Sequence, residues 1–144
     1  MGEMVAASAV ALWLIALSTF DLRQRRLPNW LTLPGAAVIL TGALLGGRGA
    51  AALCGALALF GVYAAVHLVA PRAMGAGDVK LALGLGALTG AFGVDVWLLA
   101  TVGASVSTAV AGTWSLARGG GALVPHGPSM CAATALAVAV WSGQ

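Results

Sequence analysis

Six apolar runs separated by short polar loops fill most of this chain, and they constrain its fold more than any other feature. They cover residues 4–20, 31–45, 50–70, 79–92, 96–117 and 129–141. A helix that crosses the hydrocarbon core needs about 20 residues, with a usual range of roughly 17 to 25. The first, third and fifth runs meet that length, and the other three must extend into flanking residues or thin the bilayer locally. The pattern predicts an all-α membrane bundle of about six transmembrane helices.

Composition supports a membrane location for these runs. The chain is 60% hydrophobic and 8% charged, whereas about a quarter of the residues of a soluble domain are charged. A length of 144 residues predicts a single integral-membrane domain over residues 1–144. The net charge of +3 is spread over short loops, so it indicates membrane topology and no nucleic-acid partner. The first run lacks a basic leading segment and a small-residue cleavage pattern, which predicts a retained helix and not a signal peptide.

The distribution of Lys and Arg among the loops predicts the orientation of the chain. Loops after the first, third and fifth runs hold Arg23, Arg25, Arg26, Arg72, Lys80 and Arg118. Loops on the opposite side hold only Arg48. By the positive-inside rule, the side with six basic residues faces the cytoplasm and both termini lie outside. Asp21 and Asp78 then share the cytoplasmic face of a multi-pass protein, and Asp95 lies on the other face.

Asp21 follows the first run directly and precedes a basic loop. Pro28 cannot donate within a helix and disfavours helical geometry in the preceding residue, so the second helix is predicted to begin near Pro28 or Asn29. Asp21 is then held at a helix terminus near the interface, where a carboxylate is partly dehydrated and still reachable by water. The alternative is an interfacial charge in an ordinary loop.

Asp78 lies in the segment Met-Gly-Ala-Gly-Asp-Val-Lys-Leu, residues 74–81. Gly75 and Gly77 can adopt conformations closed to other residues and allow close approach of another backbone. The next helix is predicted to start near Asp78, where its positive dipole end favours a carboxylate. Lys80 either favours the ionised carboxylate or snorkels to the interface. A glycine turn capped by Asp is common, and its placement on the same face as Asp21 strengthens the signal.

Together these stretches resemble the type IV prepilin peptidase family, the GxGD-type aspartic peptidases of bacterial and archaeal membranes. The family's first motif is an Asp at a helix end followed by basic residues and Pro-Asn, here Asp21, Pro28 and Asn29. Its second motif is GxGDxK, here Gly75, Gly77, Asp78 and Lys80. A third similarity is Pro-x-Gly-Pro at the start of the last run, here Pro125, His126, Gly127 and Pro128.

The resemblance implies an intramembrane aspartic endopeptidase that removes the short leader from type IV prepilin-like precursors at the cytoplasmic membrane face. Asp21 and Asp78 are the implied catalytic pair. One carboxyl holds a proton while the other activates water. The implied substrate-binding and loop-shaping residues are Gly75, Gly77, Lys80, Pro28 and Asn29. The partners are prepilin-like membrane proteins and the bilayer, and no metal or cofactor is required.

The chain also departs from the larger members of that family. Those members carry a cytoplasmic insertion with paired CxxC motifs, associated with N-methylation of the new pilin terminus, and this chain has neither. In size it is similar to the compact members that serve Flp-type pili and tight-adherence systems, or to their archaeal counterparts. Methyl transfer, the identity of the pilin and the oligomeric state stay open.

Two other functions are compatible with the same residues. Acidic residues that face a bundle interior also mark ion pathways, so a small proton-coupled carrier is one alternative. The carboxylates lie near one interface and not at mid-membrane, and the inverted repeats common in carriers are missing. The other alternative is a non-catalytic pilus assembly subunit that binds pilins without cutting them.

The remaining polar residues have structural interpretations. Asp95 is predicted to cap a helix or sit in a loop. His67 falls near the inner end of the third run and is predicted to bond backbone or water, although it could also approach the carboxylates. His126 either lines the substrate entrance or serves the loop alone. Cys54 and Cys131 fall at opposite depths, too far apart for a disulfide, and are predicted to pack as small residues.

Tryptophan and glycine give weaker signals. Most of the five tryptophans fall near run ends, as an aromatic belt would, and none is assigned to the site. Gly42 with Gly46, and Gly86 with Gly90, have the spacing that permits close helix packing in lipid. Such spacing is also frequent by chance in any chain rich in alanine and glycine.

Overall fold

The structure is a computed structural model that describes residues 1–121 and 124–143, and the described residues form six helices and no strand. The helices are α1 (Gly2–Gln24), α2 (Asn29–Leu45), α3 (Gly49–Val69), α4 (Ala76–Phe92), α5 (Val94–Ala117) and α6 (His126–Ser142). The predicted all-α class is therefore confirmed. Helices α1, α3 and α5 have 23, 21 and 24 residues and are apolar enough to cross a bilayer, whereas α2, α4 and α6 have 17 each. The protein is a membrane protein.

The helices extend beyond the apolar runs, and this changes the setting of Asp21. Helix α1 continues to Gln24 and stops at Arg25, which takes a left-handed conformation with φ of 49°. The N–H of Arg25 donates to the carbonyl of Asp21 at 2.8 Å. Asp21 thus lies in the last turn of α1, at a helix terminus as predicted, although α1 continues three residues beyond it. Helix α2 begins at Asn29, next to Pro28 in an extended conformation, as predicted.

Helix α4 is the central helix of the bundle. Nine of its 17 residues are buried, more than in any other helix. It packs against α2, α3, α5 and α6, while α1 packs against α2 and α6. Large apolar side chains remain exposed on the outer faces of the helices, among them Leu12, Val38, Leu57, Val102 and Leu136. In a bilayer such faces need no contact with other parts of the protein, because lipid tails are as apolar as leucine side chains.

Contacts between helix termini place three loops at one end of the bundle. The start of α2 bonds to the start of α4, the start of α6 meets the last turn of α1, and the start of α6 also bonds to the late parts of α3 and α5. We call this end, which carries Asp21, Asp78, Tyr63 and His126, the polar end. The two aspartates therefore lie at the same end of the bundle.

The other half of the bundle is held by close backbone contact between α3 and α4. A Cβ on Gly55 would overlap the carbonyl oxygen of Gly86 and lie 2.8 Å from Cα of Gly90. We call these three residues the glycine seam. Of the two interpretations of the Gly86 and Gly90 spacing, close helix packing is the one that the structure shows. A Cβ on Gly42 would have no neighbour within 4 Å, and one on Gly46 would meet only carbonyl oxygens of α2. That pair therefore does not pack helices together.

Two tryptophans have interior roles that the aromatic-belt interpretation missed. Trp13 lies midway along α1, fills a notch formed by Gly35 and Gly84, and donates from Nε1 to the carbonyl of Leu31 at 2.9 Å. Trp97 donates from Nε1 to the carbonyl of Gly55 at 3.0 Å. Within the bilayer an indole N–H needs a partner, and the glycines leave space for the ring beside a carbonyl. Trp13 is thus an interior residue away from the run ends, and Trp97, near the start of α5, also bonds a neighbouring helix.

Candidate active site

Asp21 is the only buried charged residue in the described part of the chain, with 7% of its surface exposed. Its carboxylate faces the start of α6, where the backbone amide of Gly127 interacts with it. A Cβ on Gly127 would lie 2.5 Å from Oδ2 and 3.0 Å from Cγ of Asp21. Oδ2 itself is buried and has no hydrogen-bond partner among the described residues. Only glycine fits at position 127 while this carboxylate stays in place.

Asp78 is half-buried in the first turn of α4, and its carboxylate interacts with the backbone amide of Gly75. The free amides and the positive dipole end of a helix start favour a carboxylate at this position. The N–H of Asp78 in turn donates to the carbonyl of Gly75 at 3.1 Å. The helix start therefore places the Asp78 carboxylate beside Gly75.

Neither motif glycine is needed for backbone conformation, and of the two only Gly77 lies in a crowded place. Gly75 has φ of −71° and ψ of 147°, and neither Gly75 nor Gly77 has a positive φ. The predicted special conformations are therefore wrong. A Cβ on Gly77 would lie 3.3 Å from Cβ of Leu27, and one on Gly75 would lie 3.4 Å from Oδ2 of Asp78. Gly77 lets the loop before α2 pack on the start of α4, which is the close approach that the sequence predicted.

Asp21 and Asp78 share one site although their helices do not touch along the backbone. The two carboxylates interact electrostatically. No Cα of α1 lies within 8 Å of a Cα of α4, and both helices are fully described. The carboxylates thus approach each other across the space between two separated helices. Such an arrangement brings two acids together while leaving room between their backbones.

Lys80 and Asn29 connect the two motifs directly. Nζ of Lys80 donates to Oδ1 of Asn29 at 2.9 Å. Pro28, the residue before α2, accepts from the N–H of Thr32 at 3.1 Å and from its hydroxyl at 3.3 Å. The bond between Lys80 and Asn29 holds the starts of α2 and α4 together, a role that the sequence did not predict for Lys80.

The comparison with known families agrees with this arrangement. A family model described as the type IV leader peptidase family matches residues 8–113, which include both carboxylates and both motifs. The chain belongs to the type IV leader peptidase family. Neither a curated protein nor a solved structure matches it. The match ends within α5, so Gly127 and the rest of α6 complete the site of this leader peptidase from outside the matched segment.

A hydrogen-bonded network near the aspartates was not predicted from the sequence of this leader peptidase. The hydroxyl of Tyr63 lies 3.0 Å from Nε2 of His126, and Oγ1 of Thr108 lies 2.6 Å from Nδ1. Tyr63 is buried and within electrostatic range of Asp78. The available signal was that Tyr63 is the only tyrosine, one helical turn before His67 in an otherwise apolar run.

The two cysteines are free thiols in different environments. Cys131 is buried and lies near Ser18 and within electrostatic range of both aspartates. Cys131 packs in the core as predicted, and its place in the core is next to the aspartate site. Cys54 is exposed on the outer face of α3, so its predicted packing role is wrong. Ser18 precedes Asp21 by three residues and so shares its helix face, a spacing that could have revealed this contact.

His67 and Asp95 lie outside the carboxylate pair. Nδ1 of His67 donates to the carbonyl of Met74 at 2.7 Å, so the predicted bond to backbone is confirmed. This bond ties the end of α3 to the loop before Gly75. Asp95 is exposed in the first turn of α5, at the end of the bundle away from Asp21, and forms no side-chain cap.

Proposed function

We propose that this leader peptidase is an intramembrane aspartic endopeptidase with Asp21 and Asp78 as its catalytic pair. Its substrates are type IV prepilin-like precursors of the Flp or tight-adherence type, cut at the cytoplasmic membrane face. The observation that carries the proposal is that the aspartates of two separate motifs interact within one site, in a chain of the leader peptidase family. The excess of Lys and Arg on the same side supports the cytoplasmic orientation.

The chemistry follows from two carboxyl groups that share one proton. Two nearby carboxylates resist simultaneous ionisation, so one retains a proton. The ionised partner takes a proton from water as the water oxygen attacks the peptide carbonyl. The protonated partner hydrogen-bonds the developing oxyanion and later assists protonation of the leaving amine. The buried Oδ2 of Asp21, which has no partner among the described residues, is free to take part.

The position of the pair suits a precursor with a hydrophobic helix. Asp21 lies in the last turn of one membrane helix and Asp78 in the first turn of another, so the site lies near one end of the bundle. A precursor helix in the bilayer would place the segment just before it at this depth. The cleaved bond then lies between the soluble leader and the hydrophobic helix. Asp21 and Asp78 therefore act on an extended peptide and not on the helix itself.

Co-expression with an epitope-tagged Flp-type prepilin tests the proposal. Asp21→Asn and Asp78→Asn should each abolish leader removal, because an amide can neither activate water nor share the proton. Asp95→Asn is the matched control, since Asp95 is exposed at the opposite end, and it should process the precursor like the parent protein. Mass spectrometry of the pilin N-terminus reports the cleavage site and methylation together.

Normal processing by either Asp21→Asn or Asp78→Asn, at equal protein levels, would refute the pair. The carrier alternative makes a different prediction in proteoliposomes. It requires proton flux that Asp78→Asn abolishes, with no cleavage of the precursor by the parent protein. The assembly-subunit alternative requires pilin binding that survives both substitutions, again with no cleaved product.

A further inference from the structure

His126 is the first residue of α6 and is bonded on both sides of its ring. The hydroxyl of Thr108 has one hydrogen and donates to the carbonyl of Ala104 at 3.0 Å, so it accepts from Nδ1–H of His126 at 2.6 Å. Nε2 is then left to accept from the hydroxyl of Tyr63 at 3.0 Å. We assign this neutral form of the ring from the network, which satisfies every donor and acceptor in it.

These bonds join the start of α6 to two other helices, since Tyr63 belongs to α3 and Thr108 to α5. The next residue, Gly127, contacts the Asp21 carboxylate with its backbone. The ring of His126 also packs against that of Tyr63, with centroids 5.6 Å apart. The His126 ring therefore ties the backbone next to Gly127, and with it the contact to Asp21, to α3 and α5.

We propose that His126 is a positioning residue for peptide cleavage: anchored by Tyr63 and Thr108, it holds the start of α6 so that Gly127 keeps Asp21 directed toward Asp78. The proposal rests on the proposed peptidase function. His126 itself contacts neither reacting carboxylate through a side-chain hydrogen bond among the described residues. Its effect is transmitted through the adjoining peptide unit.

Kinetics with the purified protein and a peptide that contains the leader and the first helical turns of the same prepilin test the effect on turnover. His126→Phe removes both bonds and should lower kcat by about tenfold or more, while KM changes less than about twofold. Thr108→Val removes one bond and should lower kcat by about two- to tenfold. Thr113→Val is the matched control, because its hydroxyl bonds only to carbonyls of its own helix, and it should leave kcat unchanged.

Two conservative substitutions separate the hydrogen bond of His126 to Thr108 from its hydrogen bond to Tyr63. His126→Asn retains a donor near Nδ1, and His126→Gln retains an acceptor near Nε2. Thr108→Val should therefore lower kcat further in the His126→Asn background and leave it unchanged in the His126→Gln background. Equal effects of Thr108→Val in both backgrounds would overturn the proposal. So would a rise in KM at constant kcat, which would make His126 a substrate-binding residue.

A second measurement does not depend on cleavage. Cys131 lies one helical turn after Gly127 and is 3% exposed. In a Cys54→Ser background, His126→Phe should increase the rate at which a maleimide labels Cys131 at a temperature where both proteins remain folded. Unchanged labelling would overturn the proposal. If the parent protein cleaves nothing while labelling still rises, the proposed function fails and the anchoring of α6 stands.

Discussion

Helix α4 joins two regions that are stabilised in different ways. Its second half belongs to the glycine seam, where Gly86 and Gly90 contact the backbone of α3 directly. Its first turn carries Asp78 at the polar end, where α1 and α4 have no Cα atoms within 8 Å of each other. In one region two helix backbones are in direct contact, and in the other the backbones of α1 and α4 stay apart and two carboxylates face the space between them.

The difference shows that glycine serves opposite purposes along this one helix. At the seam it brings backbones into van der Waals contact, which drives helix association in lipid. At the polar end, Gly77 makes room for Leu27, and Gly127 of α6 makes room for the Asp21 carboxylate. Substitutions at the seam should therefore change stability, and substitutions at the polar end should change activity.

Gly55→Val is expected to have the largest effect on stability. The added side chain would meet backbone atoms of Gly86 and Gly90, which have no rotamer by which to move away. Overpacked cores lose roughly 1 to 3 kcal/mol, and this site should lie at or above the upper limit. The denaturation midpoint, followed by maleimide labelling of buried Cys131 in a Cys54→Ser background, measures the loss of free energy of unfolding. Gly61→Val on the same helix is the control, since Gly61 has open space around it. If Gly61→Val lowered the free energy of unfolding as much as Gly55→Val, the stabilising role of the glycine seam would be contradicted.

The seam also shows how far the fold could be predicted. Six apolar runs predicted six helices because hydrophobic length is a local property of the sequence. For Gly86 with Gly90 and for Gly42 with Gly46 the sequence left close packing and chance spacing as alternatives, and the structure shows packing only for the first pair. The two pairs have identical spacing, and only the position of α3 distinguishes them. Residue spacing along one helix does not specify which neighbour lies beside it.

Trp97→Phe is expected to have a smaller effect at the same region. It keeps most of the ring but loses the bond from Nε1 to the carbonyl of Gly55. Hydrogen bonds between membrane helices contribute on average about 0.6 kcal/mol, so the free energy of unfolding should fall by about that amount. Trp114→Phe on the same helix is the control, because Trp114 is 61% exposed. Equal losses for both substitutions would mean that the bond does not stabilise the seam.

The site was predicted in part, for reasons that differ among its residues. Asp21 and Asp78 stand out because charges are rare in apolar sequence, and the alternation of helices brings them to one end. Tyr63 and Thr108 carry no charge and come from helices that lack a motif, so their contacts with His126 depend on tertiary packing. The special backbone conformations expected at Gly75 and Gly77 were wrong, because glycine that relieves crowding and glycine that permits a positive φ look identical in sequence.

The bond between Lys80 and Asn29 is expected to affect the cleavage rate only modestly, and it distinguishes two roles for these residues. If they join the motifs, as their 2.9 Å bond indicates, Lys80→Met and Asn29→Ala should each lower the cleavage rate about two- to fivefold. The double variant should then be no slower than either single variant, because the same bond is lost. If instead both side chains contact substrate independently, the two losses should multiply. Comparing the four cleavage rates at one subsaturating peptide concentration decides between a link within the enzyme and two separate substrate contacts.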